Sequence, residues 1–285
     1  MSKIAIITDS NSGITQKQAR DLGAWVLPMP FTINGTAFYE DINLTQDEFY
    51  EKLMNNAELF TSQPIANEVT TLWDRVLQDH DEIVYIPMSS GLSGSYQTAA
   101  LLSQEYDGKV HVVDSKRISV ALRRDVLDAL KLVELGKTAS QIKDILEGQD
   151  RQHDIFITVN TLEYLAKGGR ITPAVAMLGG MLKIKPVLRL STDKLDTYSK
   201  TRTMKKGTRI MIDALKNVIE EKFDGNIDKV NIDVAYTYDR DLADDLKKEL
   251  MREFNVDDIE VDPLSLSVSC HIGPHALAIC VCNKL

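Results

Sequence analysis

Residues 82–100 read EIVYIPMSSGLSGSYQTAA, and this stretch decides the fold. Its opening run, Glu82 to Pro87, is apolar on both faces. A strand with no polar face is buried on both sides, as in a parallel sheet covered by helices. The run ends in Ser89-Ser90-Gly91-Leu92-Ser93-Gly94-Ser95, and a helical pattern follows. In open α/β sheets ligands bind beyond the carboxyl ends of strands, where such loops feed helices. The glycines permit a tight turn that exposes amides at the helix start, and Ser90 or Ser93 can cap that helix. An oxygen-rich anion or carboxylate site competes here with a plain capped helix. A nucleophile elbow needs G-x-S-x-G, and Gly91-Leu92-Ser93-Gly94-Ser95 fails at its fifth position. A phosphate-binding P-loop needs a lysine and wider glycine spacing.

The same rhythm extends on both sides. Lys3 to Thr8 (KIAIIT) is a β-branched run ending in Asp9-Ser10. KVHVVDS closes in Asp114-Ser115. A helix opens at Thr15 and stops at Gly23, and Asn34-Gly35 marks a hairpin turn. Thr45 with Glu48 forms a capping-box pattern. In Thr61-Ser62-Gln63-Pro64 the hydroxyls precede a helix, and Pro64 suits its first turn. Helices fill Ile118 to Glu147, and DIFITV is a further strand. This alternation predicts an α/β fold with a mainly parallel sheet over residues 1–158. The ends Thr8-Asp9-Ser10, Ser89-Ser90-Gly91 and Asp114-Ser115 are then expected on one sheet edge. Residues 159–285 read as a second α/β domain, with paired strands in KPVLRL and KLDTYSKT and a long amphipathic helix in TRTMKKGTRIMIDALKNVIEEKF, Thr201 to Phe223. In AVAMLGGML, Met177 and Met181 with Gly179-Gly180 suggest an adaptable apolar wall.

The chain has 285 residues and a formal net charge of -9. That balance argues against nucleic acid, whose phosphates demand a basic surface. No apolar run reaches the roughly 18 residues of a membrane span, and the N-terminal run Ile4 to Ile7 is too short for a signal peptide. Three cysteines, Cys270, Cys280 and Cys282, fit a reduced, cytoplasmic protein. Cys280 and Cys282 share one strand face, the wrong spacing for a zinc knuckle, so no metal is expected. His271, within CHIGPHALAI, is either a structural residue or a hydrogen-bond donor to a carboxylate. Lys167-Gly168-Gly169-Arg170 and Thr201-Arg202-Thr203 are basic turns suited to a phosphate or an acidic partner.

Taken together these segments resemble the DegV family of fatty-acid-binding proteins. The likeness runs through Ile7 to Ser10, Thr61 to Pro64, Ser89 to Gln97, Val113 to Ser115, Leu162 to Ile171, Lys185 to Leu188 and His271 to Leu277. It implies two α/β domains with one long-chain fatty acid lying between them, the C-terminal domain enclosing the acyl chain. It implies no cofactor and no catalysis by this chain alone. The chain would be the binding subunit of a bacterial fatty acid kinase, with a separate ATP-dependent catalytic subunit as partner and phospholipid synthesis downstream. Transient membrane contact would serve loading. Carried over by residue, Thr61, Ser62, Ser93, Gly94 and His271 surround the carboxylate, while Arg170 and Arg202 meet the kinase subunit or the phosphate. Two positions depart from the family pattern: His275 stands where it has glycine, and Ile65 where it has serine. Two rival readings stand beside this one. An esterase or thioesterase would use Ser93 with His271, and a lipid-responsive binding protein would lack a kinase partner.

Overall fold

The computed structural model describes residues 2–55, 57–148, 151–172, 175, 184–190 and 194–285. The apolar run containing Met177, Gly179, Gly180 and Met181 lies outside them. The chain forms two compact units: residues 1–44 with 61–151, and residues 45–60 with 152–285.

The first unit is built on a four-stranded sheet. Its strands are β1 (Ile4–Asp9), β2 (Trp25–Leu27), β6 (Glu82–Ile86) and β7 (Val110–Val112), in the order β2-β1-β6-β7. Every pairing is parallel, as the two-faced apolar strands require. Its helices are α1 (Gln16–Leu22), α3 (Ala66–Val76), α4 (Ser95–Leu102), α5 (Ser119–Glu134) and α6 (Ala139–Leu146). One core packs Ile7, Ile83 and Tyr85 of the sheet against Leu72 and Trp73 of α3. A hairpin, β3 (Pro30–Ile33) with β4 (Thr36–Tyr39), turns at Asn34 and Gly35, both with positive φ. That is the primed turn whose twist matches antiparallel strands. Helix α1 carries a full capping box between Thr15 and Gln18, and Gly23 ends it in the left-handed region.

The second unit takes β5 (Leu59–Thr61) only up to Phe60, preceded by α2 (Gln46–Met54) with its capping box of Thr45 and Glu48. It then runs through β8 (His153–Thr158), α7 (Glu163–Gly168), β9 (Lys185–Leu190), β10 (Asp196–Thr201) and α8 (Met204–Phe223). After these come β11 (Val230–Tyr236), α9 (Arg240–Phe254), β12 (Glu260–Pro263), α10 (Leu266–Ile272) and β13 (Leu277–Asn283). Six strands order as β10-β9-β8-β13-β11-β12, and only β11 and β12 pair in parallel. One sheet face packs Phe156, Ile232, Val234, Ile279 and Val281 against α8 and α9.

The division differs from a boundary after residue 158. DIFITV belongs to the second sheet, pairing antiparallel with the C-terminal β13 and with β9. An apolar run announces a buried strand but not which distant segment completes its ladder. Residues 45–60 likewise join the second unit, where the Tyr50 hydroxyl lies 3.0 Å from Ser269 Oγ.

Candidate functional site

The opening loop caps its helix differently from expectation. Gly94 is the N-cap residue of α4 and supplies no side chain. Ser93 instead accepts a hydrogen bond from the Ser95 N–H at 3.2 Å, and the two hydroxyls lie 2.7 Å apart. Ser90 is drawn away from the helix, donating to Asp114 Oδ2 at 2.8 Å. The strand ends do gather on one sheet edge. Asp9 Oδ2 accepts the Met88 N–H at 2.8 Å, and Asp9 Oδ1 accepts the Asn11 N–H at 2.9 Å. Burial pushes the Asp9 carboxyl up to about 6, only partly offset by these hydrogen bonds.

The Thr61-Ser62-Gln63-Pro64 segment also departs from the simple cap. Helix α3 starts at Ala66 with Ile65 as N-cap and no side-chain bond, so Pro64 precedes the first turn. Gln63 takes up another task. Its amide donates to Thr98 Oγ1 at 3.0 Å on α4, and its Oε1 would lie 2.7 Å from a Cβ at Gly94. Glycine at 94 therefore lets the two hydroxyl-bearing loops close on each other. Thr61 and Ser93 are half-buried, while Ser62 and Gly94 are exposed. Sequence reasoning placed Asp9 at the sheet edge and Gln63 in a hydroxyl loop but gave neither a role of its own. The only signal was an acid ending an otherwise apolar strand and an amide inside a hydroxyl loop.

In the second unit two motifs far apart in sequence meet. A Cβ built on Gly168 would lie 2.0 Å from His271 Nδ1 and 2.9 Å from its Cε1. The imidazole of α10 thus lies with its Nδ1 edge against the glycine at the end of α7, and Nε2 is on the far edge of the ring. Tyr164, one turn earlier on the same face of α7, puts its ring where a Cβ of Gly273 would fall, at 2.3 Å. Burial, and then the charge of Arg170, hold the His271 pKa down to about 4. It is a neutral imidazole across the physiological range.

Arg170 is exposed and donates to the Gly168 carbonyl. Ile171 bridges to Leu195, which brings this turn to the β9–β10 hairpin. Arg202 is exposed just beyond β10, beside Thr203, the N-cap of α8. His275 adopts φ 60, the left-handed backbone that glycine takes without strain. Its ring sits edge-on to Tyr238, with centroids 5.0 Å apart. Thr61, Ser62, Ser93 and Gly94 belong to the first unit, and His271, Arg170 and Arg202 to the second. Each group is assembled within its own unit by contacts that a single motif does not reveal.

A family model described as "Uncharacterised protein, DegV family" matches residues 3–284. The chain belongs to the DegV family. A DegV domain-containing protein of Staphylococcus aureus (strain N315) is 32% identical over 284 residues, covering 100% of both chains. Among solved structures, this DegV chain is similar to a DegV family protein from Thermus thermophilus described for its fatty acid binding. The TM-score is 0.88 at 28% identity, covering 99% of this chain and 100% of that one. It is also similar to DegV from Bacillus subtilis, described as a fatty acid binding protein, with TM-score 0.86, 26% identity and full coverage of both.

The neutral state of His271 has a pH consequence. Its folded pKa, about 4, lies below the ordinary 6.5. Below pH 6.5 the unfolded chain takes up a proton that the folded imidazole refuses until about pH 4. Stability is therefore present in full above pH 6.5 and is lost as pH falls through that window, by on the order of 3 kcal/mol. The raised Asp9 carboxyl acts in the opposite direction below about pH 6, so urea titrations between pH 7 and pH 4 should show the His271 contribution as a difference: over that window His271→Gln loses less stability than the wild type. Equal slopes would place the titrating group elsewhere.

Proposed function

We propose that this chain binds one long-chain fatty acid and presents its carboxylate to a separate ATP-dependent kinase subunit, which forms the acyl phosphate used in phospholipid synthesis. The observation that carries this reading is His271, a largely buried, neutral imidazole pinned against Gly168. Such a ring can donate an N–H to a carboxylate without forming a full ion pair. Thr61 and Ser93 would add hydroxyl donors, with Ser62 and Gly94 beside them. A carboxylate held this way keeps its nucleophilicity toward a γ-phosphate, whereas a tight arginine pair would quench it. Arg170 and Arg202, both exposed, would meet the kinase subunit or the transferred phosphate.

The fatty acid binding described for the Thermus thermophilus and Bacillus subtilis relatives supports the ligand class. The second unit would enclose the acyl chain, and burial contributes about 0.8 kcal/mol per methylene before ordering costs. The hydrolase alternative gains no support from Ser93, whose hydroxyl faces the hydroxyl of Ser95 rather than a base that could take its proton. The chain itself would not be catalytic.

Native mass spectrometry of the purified protein, followed by denaturing lipid extraction, tests the binding step. One co-purified adduct in the C14 to C18 fatty acid range supports it. A bare mass that takes up no fatty acid on incubation overturns it. Phosphorylation of the bound acid by an added kinase subunit then tests the presentation step.

A further inference from the structure

We propose that the 113–118 loop is a bracket that positions the Ser93 turn, with Asp125 as the buried positioning residue behind it. The proposal rests on the reading of Ser93 as a carboxylate ligand and adds how that ligand is held.

Three hydrogen bonds centre the turn on Ser89. Its carbonyl accepts the N–H groups of Leu92 at 3.1 Å and Ser93 at 3.2 Å, and its hydroxyl accepts the Gly91 N–H at 3.3 Å. Wherever Ser89 is fixed, Ser93 follows. Ser89 is fixed by its own N–H, which donates to the carbonyl of Arg117 at 2.8 Å. The neighbouring Ser90 is fixed by Asp114 at 2.8 Å, and the Asp114 N–H by Glu147 at 2.7 Å. Both anchors belong to the same loop between β7 and α5.

The backbone at Arg117 is itself held under constraint. Lys116 before it and Ser119, two residues on at the start of α5, both take φ 57, a left-handed conformation uncommon outside glycine. Such conformations persist only where the surroundings over-determine them. Here the constraint is the Arg117 side chain, wholly buried, whose Nη1 donates to Asp125 Oδ1 at 2.9 Å on α5. Arg151 donates to the same oxygen at 2.5 Å and to Asp128 at 2.6 Å. Asp125 Oδ2 and Arg151 Nε and Nη1 are buried with no hydrogen-bond partner among the described residues. Buried charges left partly unsatisfied contribute little net stability, and an apolar cluster of equal volume often does better. What this cluster supplies is direction: it pins the guanidinium to α5, and the Arg117 carbonyl is thereby aimed at Ser89.

The test compares Asp125→Asn and Asp114→Ala with wild type. Asp154→Asn is the control, since it disturbs a buried ion-paired carboxylate of the second unit, bonded to Arg189 and Lys222. Affinity for oleate and hydrogen exchange of the Leu92 and Ser93 amides are measured together. Asp125→Asn and Asp114→Ala are each expected to weaken oleate binding about tenfold, on the low side of what misplacing a binding group costs. Both should also speed exchange at Leu92 and Ser93. Asp154→Asn should lower stability while leaving both readouts unchanged. Should Asp125→Asn fail to fold, Asp114→Ala decides alone, because Asp114 lies outside the buried charge cluster. Folded variants with wild-type affinity and wild-type exchange overturn the bracket. A wild type that binds no oleate overturns the carboxylate reading instead, and the exchange rates then decide the bracket by themselves.

Discussion

Replacing Gly168 with alanine is expected to lower fatty-acid affinity by about 10- to 100-fold, the scale of losing one hydrogen bond to a charged group. The new methyl would fall 2.0 Å from His271 Nδ1, well inside van der Waals contact. The imidazole is a flexible group on a helix, so it swings aside instead of unfolding the chain, and it leaves the position from which the proposed function has it donate to the carboxylate. Gly168 itself has a negative φ and sits at the end of α7, where alanine is the better helix former by about 1 kcal/mol. Binding and stability therefore part company. Fluorescent fatty-acid displacement should register the loss, while the thermal midpoint should stay close to wild type. An alanine variant that binds as tightly as wild type would mean that the ring position is irrelevant, and His271 would no longer stand as the headgroup donor.

Local rules made much of the scaffold legible in advance. Asn34-Gly35 encoded a turn because few residues accept positive φ, and Thr45 with Glu48 encoded a helix start because both satisfy orphan amides. The two-faced strands Ile4–Asp9 and Glu82–Ile86 encoded a buried parallel sheet, and its edge collected Asp9, Ser90 and Asp114 as that geometry demands. What stayed hidden was pairing at long range. The partner of His153–Thr158 begins at Leu277, and no periodicity within either segment points to the other. The candidate site was legible as residue types but not as contacts. Gly168 reads as a helix end and Gly94 as a flexible link, yet at each another side chain occupies the space a Cβ would need. Gln63 offered only an amide inside a hydroxyl loop and Asp125 no signature, since their roles exist only through Thr98 and Arg117.

Gly273 gives the second large effect, and it falls on stability. Its φ of 77 with ψ of -179 lies in a region essentially closed to residues with a Cβ, at a cost of about 1–3 kcal/mol. A Cβ there would also fall 2.3 Å from the Tyr164 ring, and relieving such overpacking costs about 1–3 kcal/mol more. Gly273→Ala is therefore expected to destabilise the second unit by roughly 2–6 kcal/mol. Tyr164 cannot simply retreat, because it shares the α7 face that carries Gly168 against His271, so the imidazole is disturbed with it. The two tryptophans, Trp25 and Trp73, both lie in the first unit, so their fluorescence follows that unit alone. Urea unfolding read by circular dichroism, which sees both units, should shift to lower denaturant, with faster amide exchange along Leu277–Asn283. Tyr164→Ala in the same chain should return part of the loss by removing the clash while leaving the backbone strain. That partial rescue separates the two contributions, and a Gly273→Ala midpoint equal to wild type would contradict both.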